Sequence, residues 1–299
     1  MGRRHVRVLA ALPDLFELVG AYDLSEMVDA PPCVPRLSSE AEAIRSADAV
    51  IVATPVEAHA DSVARALAAG RHVLVEKPMC DIAARADALV AAAAPDGARL
   101  CVGHSERFNP VVRALSSVLH GERIHAIAFN RVGPARLIPQ GVLLNLGVHD
   151  LDLACYLSGG DISLRSALGG GRDGASQDTA QVLFETSGGA VGHIHVDRIH
   201  PSRDRTITAV TSRWVYEGDL LGGTLRRASR AGGAATDVPL PAEEPLVAQA
   251  RAFAEAMRGL PARELASGAD GARAVRLAEF AAARCSASNA EKLSLLVGP

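Results

Sequence analysis

Apolar positions in the first hundred residues fall into short unbroken runs, each followed by a longer Ala-rich stretch with helical spacing. Residues 16–22, 49–53, 72–75 and 99–103 read as strands, and the continuous apolar run at 49–53 suits a strand covered on both faces. Residues 56–69 and 81–94 read as helices, the first stopped by Gly70 and the second by Pro95-Asp96-Gly97. Residues 3–9 are helix-like as well. Strands separated by helices of this length imply parallel pairing through right-handed crossovers, a doubly wound α/β sheet.

The texture changes near residue 105. Residues 109–119 and 141–157 read as helices and 124–131 as a strand. Short alternating runs at 181–184, 191–196, 206–210, 213–216 and 224–227 carry Gly and Asp turns between them, the mark of an antiparallel sheet. Residues 228–241 read as a loop, and helices at 245–257 and 269–285 close the chain. The expected fold class is α/β: a dinucleotide-binding domain over 1–104, then an α+β domain over 105–299 with a mostly antiparallel, open-faced sheet.

The 299 residues are 48% apolar and 22% charged, with a net charge of −3. That is a globular composition, and with no basic block it argues against a nucleic-acid partner. The longest apolar runs fall well short of a membrane span, and no leader signature follows residues 8–12. Five scattered cysteines without a C-x-x-C pair suit reduced, buried thiols in a cytoplasm.

Of 31 basic residues only Lys77 and Lys292 are lysines. An ammonium can shift its pKa and exchange a proton where a guanidinium cannot. A lysine kept at the end of a buried strand is therefore a candidate for chemistry. Asp23 ends the 16–22 run, where an acid in a dinucleotide-binding fold accepts hydrogen bonds from ribose hydroxyls. Counting back about 20 residues reaches Gly2, which would close a Gly-rich turn. The rest of that turn and a first strand would then precede Met1, through a late start or through degeneracy. No Arg directly follows Asp23, which favours NAD over NADP. In the second half, Asn145 and His149 are four apart on a helix and share a face, and an imidazole suits proton transfer near neutrality. His193 and His195 alternate on a strand but lack a third ligand, so no metal site is expected. Gly169-Gly170-Gly171, without a following Lys-Ser/Thr, reads as a turn.

Four segments together resemble the Gfo/Idh/MocA family of nicotinamide-dependent oxidoreductases. They are Ala53-Thr54-Pro55 with His59, Glu76-Lys77-Pro78, residues 103–110 and residues 141–152. The stretches 106–110 and 131–134 are most similar to members acting at C3 of UDP-N-acetylglucosamine-type sugars. The resemblance implies Lys77 and His149 as catalytic residues, with Asn145 beside His149 where many members have Asp. His149 is then the base that takes the hydroxyl proton as hydride leaves the sugar carbon, with Lys77 stabilising that oxygen, and the exchanged assignment is the runner-up. It implies Gly2, Asp23, Thr54, Pro55, His59, Glu76 and Pro78 around NAD, a cis Lys77–Pro78 bond, and Arg107, Asn109, Arg131 and Arg136 toward a sugar or nucleotide-sugar substrate. It also implies a homodimer or homotetramer formed through the open sheet face. An inositol or simple-sugar dehydrogenase is the rival within the family, and a non-catalytic homologue on the same fold is the rival outside it.

Overall fold

The structure is a computed structural model and describes residues 1–25, 34–93, 97–134, 140–171 and 177–296. The chain divides into two compact units. The first comprises Met1–Phe108 and Glu244–Ala272, so the stretch 244–272, expected with the second domain, belongs to the first.

In chain order the first unit runs α1 (Gly2–Ala10), α2 (Glu40–Ser46), β1 (Ala49–Val52), α3 (Val56–Ala68), β2 (His72–Glu76), α4 (Ala83–Ala92) and β3 (Leu100–Gly103), then a 3₁₀ turn over Ser105–Phe108. The helix ends follow local chemistry. The Ser39 side chain accepts from the Glu42 N–H and starts α2. Past α3 the chain turns left-handed at Gly70, φ 71°, where glycine has no Cβ penalty. β1, β2 and β3 pair in parallel, so their carboxyl ends lie along one edge.

The second unit follows with α5 (Pro110–Leu119), β4 (Ile124–Val132), a π-helical turn (Leu143–Gly147) running into α6 (Val148–Ser158), then β5 (Ile162–Gly170), β6 (Thr179–Thr186), β7 (Val191–Asp197), β8 (Asp204–Thr211), β9 (Trp214–Asp219), β10 (Thr224–Ser229) and β11 (Thr236–Asp237). Its eight strands form one sheet in the order β11-β10-β9-β8-β4-β7-β6-β5. Every pairing is antiparallel except β4 with β7. Inward residues of the sheet, among them Phe129, Val182, Phe184, Ile194 and Ile207, make one core with Leu115 of α5 and Leu151 of α6. The opposite face of the sheet carries Leu168, Leu183 and Val191, each exposed.

The chain then returns to the first unit with α7 (Pro245–Met257) and β12 (Ala266–Ser267), which pairs antiparallel with β3. Ala248, Ala252 and Phe253 of α7 pack on Leu74, Cys101 and Phe108, while Leu246 and Ala250 pack on Val8 and Leu12 of α1. The last helix, α8 (Gly268–Leu296), begins here, and its later turns pack Ala278, Ala281 and Cys285 into the core of the second unit.

Three further expectations change. Residues 16–22 form no strand; their ladder pairing is the single parallel bridge Ala21–Arg36. Gly169 and Gly170 are not a turn but the end of β5. A Cβ on Gly169 would lie 2.9 Å from the Cys285 sulfur, so glycine there permits the close approach of α8. Residues 236–237, read as loop, add the edge strand β11.

Candidate active site

The parallel strands of the first unit set the positions of one group of candidates. Thr54 and Pro55 follow β1, and Lys77 and Pro78 follow β2, both at carboxyl ends. In open α/β sheets ligands bind at that edge. The Lys77–Pro78 bond is cis, as the resemblance implied.

His59 lies on α3 and is 2% exposed. Its Nδ1 is 2.9 Å from the Pro78 carbonyl oxygen and its Nε2 is 2.9 Å from that of Thr54. Carbonyls only accept, so the ring nitrogen that carries the proton donates to one of them, and the other nitrogen lies against the second. Its nitrogens are thus engaged by backbone, and its use is to tie the loop after β1 to the loop after β2.

Glu76 is also buried, and its Oε1 lies 2.6 Å from Nε2 of His5 on α1. Gly103 of β3 makes room for that carboxylate, since a Cβ there would meet it at 3.2 Å. The carboxylate beside Lys77 is therefore held from α1. Sequence reasoning missed His5. The signal was its spacing of three from Val8, which puts both on the buried face of α1.

The features around α1 fit a dinucleotide. The α1 N-terminus has no capping side chain and no acid in its first turn, and a Cβ at Gly2 would meet nothing within 4 Å. Such an end favours an anion. The Asp23 carboxylate is exposed, with Oδ1 accepting from the Ser25 N–H at 2.9 Å.

The second unit holds the other catalytic candidates. Asn145 lies in the π-helical turn and His149 in the first turn of α6, both half-buried. The single α-helix expected over 141–157 is thus two helical forms joined between these residues. A π turn carries one more residue than an α turn and often marks a functional segment.

The expected substrate contacts are used otherwise. Arg131 is 2% exposed and grips the Asp150 carboxylate through Nε at 2.8 Å and Nη2 at 2.9 Å. Asn109 caps α5, accepting from the Val111 N–H, and its amide donates to the Leu220 carbonyl. Arg107 is 3% exposed and pairs with Asp270 at 3.5 Å. Burial leaves Arg107 and Arg131 little surface to offer a sugar, whereas Asn109 is half-buried. Arg136 lies outside the described residues. A second buried pair, Arg198 with Asp178 at 2.8 Å, was not foreseen. Among the described residues no group of three or more His, Cys, Asp or Glu is arranged to hold a metal ion. No described helix is long and apolar enough to cross a membrane.

Comparison with known proteins agrees across both units. Residues 1–104 match the Gfo/Idh/MocA oxidoreductase family, NAD-binding Rossmann fold, and residues 113–216 match the Gfo/Idh/MocA C-terminal domain. UDP-N-acetylglucosamine 3-dehydrogenase of Acidithiobacillus ferrooxidans is 27% identical over 246 residues, 80% of this chain and 77% of that protein. Its crystal form superposes with a TM-score of 0.84 at 24% identity, covering 96% of this chain and 94% of that one. An inositol 2-dehydrogenase of Rhizobium meliloti is 27% identical over 205 residues, 62% of this chain and 58% of its own length. The WlbA dehydrogenase of Bordetella pertussis, in complex with NADH and UDP-GlcNAcA, shares the fold, with a TM-score of 0.80 at 20% identity over 96% of this chain and 93% of that one. With both halves matched in order and the Glu76-Lys77-Pro78 turn at the carboxyl end of β2, the chain belongs to the Gfo/Idh/MocA family of oxidoreductases.

Proposed function

We propose that the protein is an NAD-dependent dehydrogenase of a sugar or nucleotide sugar, acting at C3 of a UDP-sugar. The observation that carries the reading is Lys77, half-buried at the carboxyl end of β2, in a chain whose two units both match the family. The UDP-sugar is favoured over inositol by coverage, because the nucleotide-sugar relative is matched over 77% of its length and the inositol relative over 58%.

When bound, NAD would accept the hydride from the sugar carbon; Gly2 and the α1 N-terminus would hold its phosphates, Asp23 a ribose, and the 54–55 and 77–78 turns its nicotinamide end. His149 takes the proton from the reacting hydroxyl, since an imidazole matches that transfer near neutral pH. Lys77 would donate to a substrate oxygen and stabilise its developing charge; the exchanged assignment, Lys77 as base, is the close alternative. Asn145 donates or accepts a hydrogen bond but adds no charge. Preference for NAD over NADP rests on the exposed Asp23 carboxylate, which would repel a 2′-phosphate. The Arg36 Nη2 donates to the Asp23 and Ser25 carbonyls, 3.0 Å each. Among the described residues four buried free thiols suit a reducing cytoplasm, and the apolar residues on the open sheet face suit a homo-oligomer.

The test is a panel of UDP-N-acetylglucosamine, myo-inositol and simple sugars with NAD and NADP, read by absorbance of the reduced nicotinamide. Turnover of the UDP-sugar with NAD is expected. Turnover of inositol alone would select the rival enzyme. No turnover, together with sugar binding that Lys77→Ala leaves untouched, would select a non-catalytic homologue.

A further inference from the structure

The segment carrying His149 is held from both ends by buried guanidinium groups. Arg131 projects from the end of β4, and Arg198 follows β7, its parallel neighbour, with Val132 opposite Asp197. Arg131 grips Asp150, the residue after His149, by two hydrogen bonds of 2.8 and 2.9 Å. Arg198 donates through Nε to Asp178 at 2.8 Å and through Nη1 to the Gln140 carbonyl at 2.9 Å. The lead-in is tied once more where the Val142 N–H donates to the Gln177 carbonyl at 2.8 Å. All four charged side chains are 3% exposed or less.

Between the two anchors lie the π-helical turn and His149. Relaxing a π turn to an α turn shifts the register by one residue and rotates everything beyond it by about 100° about the helix axis. The imidazole would then point elsewhere while the helix remained intact. Buried ion pairs are poor sources of stability, since apolar side chains of similar volume often serve as well or better. A planar two-pronged guanidinium instead fixes direction as well as distance.

We propose that Arg131 and Arg198 are positioning residues that lock the π turn in register and so set the direction of the His149 imidazole. The inference rests on the reading of His149 as the proton-transfer residue. It assigns the two arginines to the geometry of that residue and not to the substrate.

The experiment uses the full chain with each ion pair replaced by apolar residues, Arg131→Met with Asp150→Leu and Arg198→Met with Asp178→Leu, and the single variant Arg131→Lys. Three quantities are read: the urea midpoint, kcat against KM for NAD, and the NMR signals of the His149 ring, identified by their loss in His149→Gln. We expect midpoints close to the parent, a KM for NAD close to the parent, kcat lower on the order of a hundredfold, and displaced His149 ring signals. Arg131→Lys keeps the charge but not the two-pronged grip, and should displace the ring signals too. If the double variants do not fold, Arg131→Lys decides. Parent-like kcat and parent-like ring signals in the folded variants would overturn the proposal. Should the parent itself lack turnover, the dehydrogenase reading falls, and the ring signals alone still decide whether the arginines orient His149.

Discussion

The imidazole of His5 and the carboxylate of Glu76 lie 2.6 Å apart, with side chains only 7% and 9% exposed. This contact joins α1, whose N-terminus would receive the cofactor phosphates, to the residue directly before Lys77. Removing either partner leaves a buried polar group unsatisfied, which costs about 1–3 kcal/mol. His5→Ala and Glu76→Ala should each lower the unfolding free energy in urea by about that much, and the double variant by less than their sum. Strict additivity would show that the two groups do not interact.

Lys77 is half-buried, so its truncation should leave stability near the parent value while removing stabilisation of the substrate oxygen. Loss of one such donor lowers kcat about 10²–10³-fold. Lys77→Arg should rescue poorly, because a planar fork does not reproduce a compact ammonium. The measurement is kcat beside the urea midpoint; an unchanged kcat in Lys77→Ala would remove this residue from the chemistry.

The parallel sheet of the first unit was readable because strands covered on both faces are apolar at every position, as at Val73, Leu74 and Val75. The 16–22 run had the composition of a strand, but a strand exists only where a ladder partner does, and its partner is one bridge. Lys77 and His149 stood out through residue type and motif. Arg131 was read toward substrate, and its pairing with Asp150 was not foreseen, because sequence shows a charge but not its direction. It falls on the inward phase of β4 with Ile127 and Phe129, and a charge at such a position must be paired. That phase was a usable signal. The π turn had none, since the residues of 143–147 suit an ordinary helix equally well.

The outward face of the β5–β7 strands carries Leu168 at 52%, Leu183 at 53% and Val191 at 62% exposure. Clustered apolar side chains on one sheet face mark an association surface. Leu183→Glu puts a charge beside His193, its partner across β6 and β7, without entering the core. It should shift the protein to a smaller species in sedimentation velocity with unfolding in urea unchanged. An unchanged sedimentation coefficient for an oligomeric parent would place the interface elsewhere, and a monomeric parent would remove the homo-oligomer proposal.

Two buried thiols predict how stability falls in alkali. Burial pushes Cys101 up to about 12 and Cys155 up to about 11, with Arg99 and Arg273 respectively opposing the shift. In the unfolded chain a thiol ionises near its ordinary value of about 8.5. Below that value both states are protonated and the thiols are neutral for stability. Above it the unfolded chain releases protons that the folded chain retains, so unfolding is favoured as pH rises toward the folded values. Each thiol contributes up to about 1.4 kcal/mol per pH unit over that window. Urea unfolding from pH 8 to pH 10.5 should therefore show a falling stability whose slope is reduced in Cys101→Ala and reduced further in Cys101→Ala with Cys155→Ala. The comparison is of slopes, because the lost side-chain volume lowers the whole curve. Identical slopes in parent and variants would mean that these thiols ionise in the folded chain as readily as in the unfolded one.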